Sequence, residues 1–246
     1  MNTLLSLVLM FAAIPAAAVE LTVSAASSLT ESFREIAAAY EAVNPDIRVD
    51  LNFAASGVLL QQIARGAPVD VFASADQATM ALAAQRGLVV PATRQIFAVN
   101  SLWVVVPPQA RGKPASLVAL AEPGVRRITI GNPDSVPAGR YAREVLQQAG
   151  LWQALQPRMI NTQNVRQSLD YVARGEVDAG FVYATDAQAM PGRVHRAFQV
   201  PVPGGISYPL AMVRTTRSPA HARAFMAFVR SAQGQAILRR HGFGSP

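Results

Sequence analysis

Apolar and polar positions in this chain switch repeatedly between a period of two and a period of three to four. Leu21 to Ser24 reads as a short strand. From Leu29 to about Tyr40, the residues Phe33, Ile36, Ala37 and Tyr40 recur at helical spacing, which predicts an amphipathic helix. Asn44-Pro45-Asp46 turns the chain into a second strand, Ile47 to Phe53, with partial alternation. A helix from Gly57 to Arg65 is broken by Gly66-Ala67-Pro68, and a short apolar strand runs from Val69 to Ala73. Asp76 then caps a helix that ends at Arg86-Gly87. Strand, helix, strand, helix, strand, helix is the order of a mostly parallel sheet with helices on both faces.

A long β-rich run from Ile96 to Val106 contains Asn100-Ser101, a crossing point between two lobes. Beyond it a second α/β series begins. Its strands are expected near Arg127 to Ile130, Met159 to Asn161, Val177 to Tyr183 and Val194 to Val200. Its helices are expected over Ala138 to Ala149 and Val165 to Ala173. Pro201-Val202-Pro203-Gly204-Gly205 reads as a return linker into a strand from Tyr208 to Val213. Two closing helices, Pro219 to Arg230 and Ala232 to His241, are placed against the first lobe. The expected division is residues 19–97 plus 205–246 for lobe I and 98–204 for lobe II. In such a fold the ligand lies between the lobes, at the carboxyl ends of strands where helices begin.

Four stretches of small, neutral residues fall at those places: Ala25-Ala26-Ser27-Ser28-Leu29, Phe53-Ala54-Ala55-Ser56-Gly57, Val136-Pro137-Ala138-Gly139 and Thr162-Gln163-Asn164-Val165-Arg166. A helix N-terminus presents unpaired N–H groups and a partial positive charge, so it receives anions readily. Each stretch also has a plain structural reading. Ser28 followed by Glu31 fits a capping box, Asn164 is a good N-cap, and Pro137 is ordinary at a helix start. Arg140 and Arg166 stand in first turns, where a cation opposes the helix dipole by ~0.3–1 kcal/mol. A bound anion reverses that penalty, which gives both arginines an expected part in anion capture without necessarily touching the ligand. Tyr183 ends an apolar run and adds a neutral donor if it faces a cleft.

Composition narrows the chemistry. Of 246 residues, 51% are hydrophobic and 15% charged, as in a packed globular chain rather than a disordered one. The absence of cysteine excludes disulfides, thiolate ligands and attachment of lipid through a cysteine. The formal charge is +7, yet the arginines are scattered and form no basic run interleaved with aromatics, so no nucleic-acid surface is indicated. The histidines, His195, His221 and His241, have no metal-ligand spacing. There is no P-loop, dinucleotide fingerprint or nucleophile elbow. Asp76, Asp134, Asp178 and Asp186 are expected to cap helices or hold loops.

An apolar run from Leu4 to Ile14 leads to Pro15 and Ala16-Ala17-Ala18, with no charged side chain from Met1 to Val19. Small residues at Ala16 and Ala18 fit a secretory cleavage site, so residues 1–18 are expected to be a signal peptide and the chain periplasmic. The n-region has neither Lys nor Arg, a departure from the usual pattern; a buried N-terminal helix is the alternative.

With these residues assembled, the chain from about Leu21 onward closely resembles the molybdate-binding periplasmic proteins of bacterial ABC transporters. The resemblance is carried by the four stretches above, by Gly66-Ala67-Pro68-Val69-Asp70-Val71-Phe72-Ala73-Ser74-Ala75-Asp76 and by Val182-Tyr183-Ala184-Thr185-Asp186. It implies a two-lobed type II periplasmic-binding-protein fold with the ligand cleft between the lobes. It further implies molybdate, or tungstate, as ligand, no cofactor, and no catalysis. Ser28 and Ser56 then donate hydroxyl and backbone N–H groups, Ala138 and Val165 backbone N–H groups, and Tyr183 its phenol. Gly57 stands where such proteins often have another serine. The implied partners are a membrane permease and its cytoplasmic ATPase, with the receptor itself a monomer. Two other readings stay open: a receptor for another oxyanion such as sulfate, and a secreted hydrolase using Ser28 or Ser56 as nucleophile.

Overall fold

The computed structural model describes residues 18–110 and 112–246. The signal peptide expected over residues 1–18 lies, apart from Ala18, outside the described residues. The first series comprises β1 (Val19–Ala26), α1 (Thr30–Val43), β2 (Ile47–Ala54), α2 (Ser56–Ala64), β3 (Val71–Ala73), α3 (Gln77–Gln85) and β4 (Gln95–Asn100). The second comprises β5 (Leu102–Val106), β6 (Ile128–Gly131), α4 (Pro137–Gln148), α5 (Trp152–Leu155), β7 (Met159–Thr162), α6 (Val165–Ala173), β8 (Ala179–Tyr183), α7 (Ala184–Ala189) and β9 (His195–Val200). The chain closes with β10 (Ile206–Met212), α8 (Pro219–Arg230) and α9 (Ala232–Arg240). Among the described residues, no helix is long and apolar enough to cross a membrane.

Two five-stranded sheets result, in the orders β2-β1-β3-β10-β4 and β7-β6-β8-β5-β9. The β-rich run from Ile96 to Val106 is therefore two strands in different sheets, with only Ser101 between them. The sheets are mixed, where mostly parallel ones were expected. β1 pairs in parallel with β2 and β3, whereas β10 runs antiparallel to both β3 and β4. The second sheet repeats this, with β5 antiparallel to β8 and β9. The reason lies in how the chain crosses. Strands followed by a helix run toward the cleft, and so does the strand that leaves each lobe. The strand arriving from the other lobe starts at the cleft and must run away from it. One reversed strand per sheet accounts for both antiparallel pairings.

Burial follows the predicted faces. Phe33, Ile36, Ala37 and Tyr40 of α1 are all buried. The closing helices cover the same sheet, since Tyr40 meets Phe225 of α8 edge-on with ring centroids 5.3 Å apart. Such edge-to-face contacts add about 0.5–1.5 kcal/mol beyond area burial. At the opposite end of the first turn of α4, the Gly139 backbone presses on β6. A Cβ there would lie 1.7 Å from the Gly131 carbonyl oxygen, so only glycine lets the start of α4 sit this low.

Candidate functional site

The carboxyl ends of β1, β2, β3, β6 and β8 face one enclosed space. Ser28, Ser56, Ala138, Val165 and Tyr183 all line it, together with Ala26, Ser27, Ala55, Ala75, Val136 and Pro137. None of these side chains is charged. The five residues singled out from the sequence therefore converge on one cavity.

Local structure explains each position. Ser28 belongs to a 3-10 turn, Ser27–Leu29, that leads into α1. Ser56 opens α2, Ala138 is the second residue of α4, and Val165 opens α6. First-turn residues have no intrahelical acceptor for their N–H groups, so these four amides have capacity for a ligand. Tyr183 ends β8 and is 1% exposed, and its hydroxyl has no hydrogen-bond partner among the described residues. Burial pushes its phenol well above the ordinary value, so it keeps its proton and remains a donor.

The serines do not act as caps. The capping box expected between Ser28 and Glu31 is absent, because Ser28 Oγ faces Tyr208 Oη at 3.0 Å and Glu31 pairs with Arg166 instead. The cap of α2 is Ala55, and Ser56 Oγ accepts a hydrogen bond from the Ala75 N–H at 3.0 Å. With its lone pair engaged behind it, the Ser56 hydroxyl proton is free for another acceptor. Elsewhere the capping expectations hold. Asn164 accepts from the Gln167 N–H and Asp76 from the Thr79 N–H, both at 3.0 Å. Asp178 holds the Arg126 and Arg127 N–H groups, and Asp186 the Tyr183 N–H.

Arg140 and Arg166, expected to assist anion capture without necessarily touching the ligand, have carboxylate partners. Neither lines the cavity; both reach carboxylates across the cleft. Arg140 of α4 pairs with Asp76, which is 2% exposed, and approaches Thr79 Oγ1 at 3.3 Å. Arg166 of α6 pairs with Glu31 of α1 and lies against Asp186, its Nε 2.8 Å from Oδ1. That Nε–H is not aimed at the oxygen, so the contact is an ion pair rather than a formed hydrogen bond. Burial raises the Asp186 carboxyl to about 6 against the opposing pull of Arg166. The lobes also touch through backbone, with the Gly57 N–H donating to the Ser135 carbonyl at 3.0 Å. These contacts close the cleft over the cavity.

Several functional neighbours escaped the sequence reading. Tyr208 is fully buried behind Ser28, and Asn100 donates to both Tyr208 Oη at 3.2 Å and Thr185 Oγ1 at 2.9 Å. Asn100 was legible as a crossing point, but no local pattern links it to residues so far along the chain.

Two α/β lobes closed over a small polar cavity are the architecture of a solute-binding protein. Residues 21–244 match the family model described as "Bacterial extracellular solute-binding protein". The chain is 36% identical to the molybdate-binding protein ModA of Escherichia coli K12, over 91% of this chain and 88% of that one. Its fold superimposes on the periplasmic molybdate-binding protein of Azotobacter vinelandii with a TM-score of 0.80 at 27% identity, covering 92% and 99% of the two chains. The sulfate-binding protein SubI of Mycobacterium tuberculosis shares the fold at a TM-score of 0.79, with 19% identity and coverage of 92% and 87%. The chain belongs to the bacterial extracellular solute-binding proteins and, among them, to the family of the molybdate-binding protein ModA.

Proposed function

We propose that this protein is the periplasmic receptor of a molybdate importer, holding the tetrahedral dianion through Ser28, Ser56, Ala138, Val165 and Tyr183. The serines supply hydroxyl and backbone N–H donors, Ala138 and Val165 backbone N–H donors, and Tyr183 its phenolic proton. In this reading the lobes are residues 19–97 plus 205–246 and 98–204, and the leader 1–18 is cleaved on export. The closed receptor, a monomer, delivers the ion to a membrane permease driven by a cytoplasmic ATPase. Tungstate, nearly matching molybdate in shape and charge, binds comparably.

One observation carries the reading: the cavity is walled by neutral donors and no charged side chain faces it. Molybdate at neutral pH is a dianion with no proton to give, so it needs donors and no acceptor. A phosphate receptor needs a carboxylate to take the ligand's proton, and none lines this space. Burying a dianion without a formal countercharge succeeds where oriented dipoles meet nearly every oxygen lone pair. Sulfate is also a dianion but smaller, so cavity size discriminates against it. The hydrolase alternative is disfavoured by the partners of the two hydroxyls, the Tyr208 phenol and the Ala75 amide, neither of which is a general base.

The test is thermal unfolding of the mature protein with molybdate, tungstate, sulfate and phosphate at equal concentration. A ligand at ~1,000 times its dissociation constant stabilises by ~4 kcal/mol, a rise of roughly 8–16 °C for a chain of this size. Large rises with molybdate and tungstate and little with sulfate support the assignment. Equal rises with sulfate make it a general oxyanion receptor, and no rise with any anion overturns it.

A further inference from the structure

The proton of the Ser28 hydroxyl is directed by residues that never touch the cavity. Asn100 ends β4, and its Oδ1 accepts the Ser101 backbone N–H at 2.9 Å. An N–H can only donate, so this bond fixes which end of the amide is oxygen. The Nδ2 group then has two protons to place. One goes to Thr185 Oγ1 at 2.9 Å and the other to Tyr208 Oη at 3.2 Å. Tyr208 is fully buried, and burial keeps its phenol protonated. Its hydroxyl proton needs an acceptor, because an unpaired buried donor costs ~1–3 kcal/mol. The atoms within reach among the described residues are Asn100 Nδ2, which cannot accept, and Ser28 Oγ at 3.0 Å. Ser28 Oγ therefore receives the Tyr208 proton, and its own proton points elsewhere, free for an acceptor in the cavity that Ser28 lines.

We propose that Asn100 and Tyr208 are specificity-determining residues, forming a one-way chain, Asn100 N–H to Tyr208 O–H to Ser28 O–H, that keeps the Ser28 proton off Tyr208 and biases Ser28 toward donating. The proposal rests on the oxyanion reading above and deepens it. A serine hydroxyl left to rotate accepts as readily as it donates, and so tolerates an anion that still carries a proton. A serine with one of its two lone pairs engaged from behind keeps one acceptor site instead of two, so it favours an anion that only accepts. Ser56 is set the same way by the Ala75 N–H, through backbone alone. At Ser28 the setting depends on side chains, so it can be removed and reversed by substitution. Tyr208 and Asn100 are positioning residues; neither lines the cavity.

The experiment is titration calorimetry of the mature wild type, Tyr208→Phe and Asn100→Asp with sodium molybdate, sulfate and inorganic phosphate near neutral pH. Phosphate still carries a proton there, and the other two do not. Phenylalanine keeps the ring contacts of Tyr208 with Phe97, Tyr183 and Phe243. Tyr208→Phe is expected to weaken molybdate about tenfold while phosphate holds or strengthens, since Ser28 regains its second acceptor site. Asn100→Asp has no N–H to give, so Tyr208 donates to it and Ser28 is drawn to donate to Tyr208, turning the hydroxyl away from the cavity. Molybdate then falls further than in Tyr208→Phe, on the order of a hundredfold. The added charge repels dianions alike, so the titrations are run on the alkaline side of neutral, where phosphate is mainly the singly protonated dianion. The molybdate-to-phosphate ratio is then the readout, and it falls at least tenfold in both variants. Phosphate falling in step with molybdate, phosphate staying undetectable in both variants, or molybdate unchanged each overturns the proposal. A wild type that binds sulfate but not molybdate overturns the ligand assignment alone, and the ratio is then read with sulfate. A wild type that binds none of the three overturns both.

Discussion

The Gly57 N–H donates to the Ser135 carbonyl across the cleft at 3.0 Å, and the two backbones meet so closely that no side chain fits between them. A Cβ on Gly57 would lie 2.6 Å from the Ser135 oxygen and 2.9 Å from its Cα. Both are backbone atoms and cannot swing aside. Gly57 therefore lets the two lobes approach this closely.

Gly57→Ala separates closure from folding. The backbone of Gly57 is not left-handed, and alanine favours a helix by roughly 1 kcal/mol over glycine. The unliganded protein is thus expected to melt at the same temperature or higher. Molybdate affinity falls about tenfold or more, carried by faster dissociation, because the clash exists only in the closed form. Stopped-flow kinetics beside a thermal melt check this; unchanged dissociation means that Gly57 does not limit closure.

Arg140 and Asp76 form a second contact of the same kind, a latch on the closed form. Opening the cleft exposes both groups to water, so their attraction counts mainly when the lobes are together. Arg140→Ala is expected to raise the dissociation rate of molybdate several-fold and leave its association rate nearly constant. A double-mutant cycle with Asp76→Asn, which retains an oxygen to cap α3, should give a coupling of about 1–3 kcal/mol in binding. A changed association rate with strong salt dependence would instead restore the role read from sequence, in which the arginine draws the anion in.

What was legible in the sequence was local. Helix faces, turns and the small residues at helix starts each depend on neighbours within a few positions, so the stretches were legible. Within them the resemblance singled out Ser28, Ser56, Ala138, Val165 and Tyr183, which the structure gathers around one cavity. Relationships across the fold were not. Ser28 meets Tyr208 over a separation of 180 residues, and that contact takes the hydroxyl from the capping box that local spacing suggested. Arg140 and Arg166 looked like unpaired cations because Asp76 and Glu31 belong to the other series of elements. The reversed strand in each sheet depends on where the chain enters a lobe, which hydrophobic period does not encode.

Asp186 makes stability depend on pH through Arg166. Its folded value of about 6 lies above the ordinary 3.8, so the native state holds the proton more tightly than the unfolded chain. The favourable contribution is full below 3.8 and is lost as pH rises through about 6. Arg166→Met removes the cation that opposes the shift. At about pH 7.5 the variant is expected to lose ~3 kcal/mol, the cost of stranding a buried carboxylate. The deficit shrinks as the pH is lowered toward 6 and is smallest below it, where the carboxyl is neutral in both proteins and needs no partner. Urea unfolding at both ends of that range tests it; a deficit constant with pH would falsify the assignment to Asp186.

Tyr183 gives a prediction with opposite signs for stability and binding. Its hydroxyl is buried at the cavity and has no hydrogen-bond partner among the described residues. A buried donor left unpaired costs ~1–3 kcal/mol, so Tyr183→Phe should leave the unliganded protein as stable as before or more so. The same hydroxyl, given a dianion oxygen to meet, makes a charge-assisted bond of about 1.5–3 kcal/mol. Its loss therefore weakens molybdate by roughly 10- to 150-fold. The ring still meets Tyr208 at a centroid distance of 5.7 Å, and the wall of the cavity stays in place. Denaturation without anion and calorimetry with it read the two effects separately. Loss of stability together with unchanged affinity would make Tyr183 a packing residue and remove it from the ligand's donors.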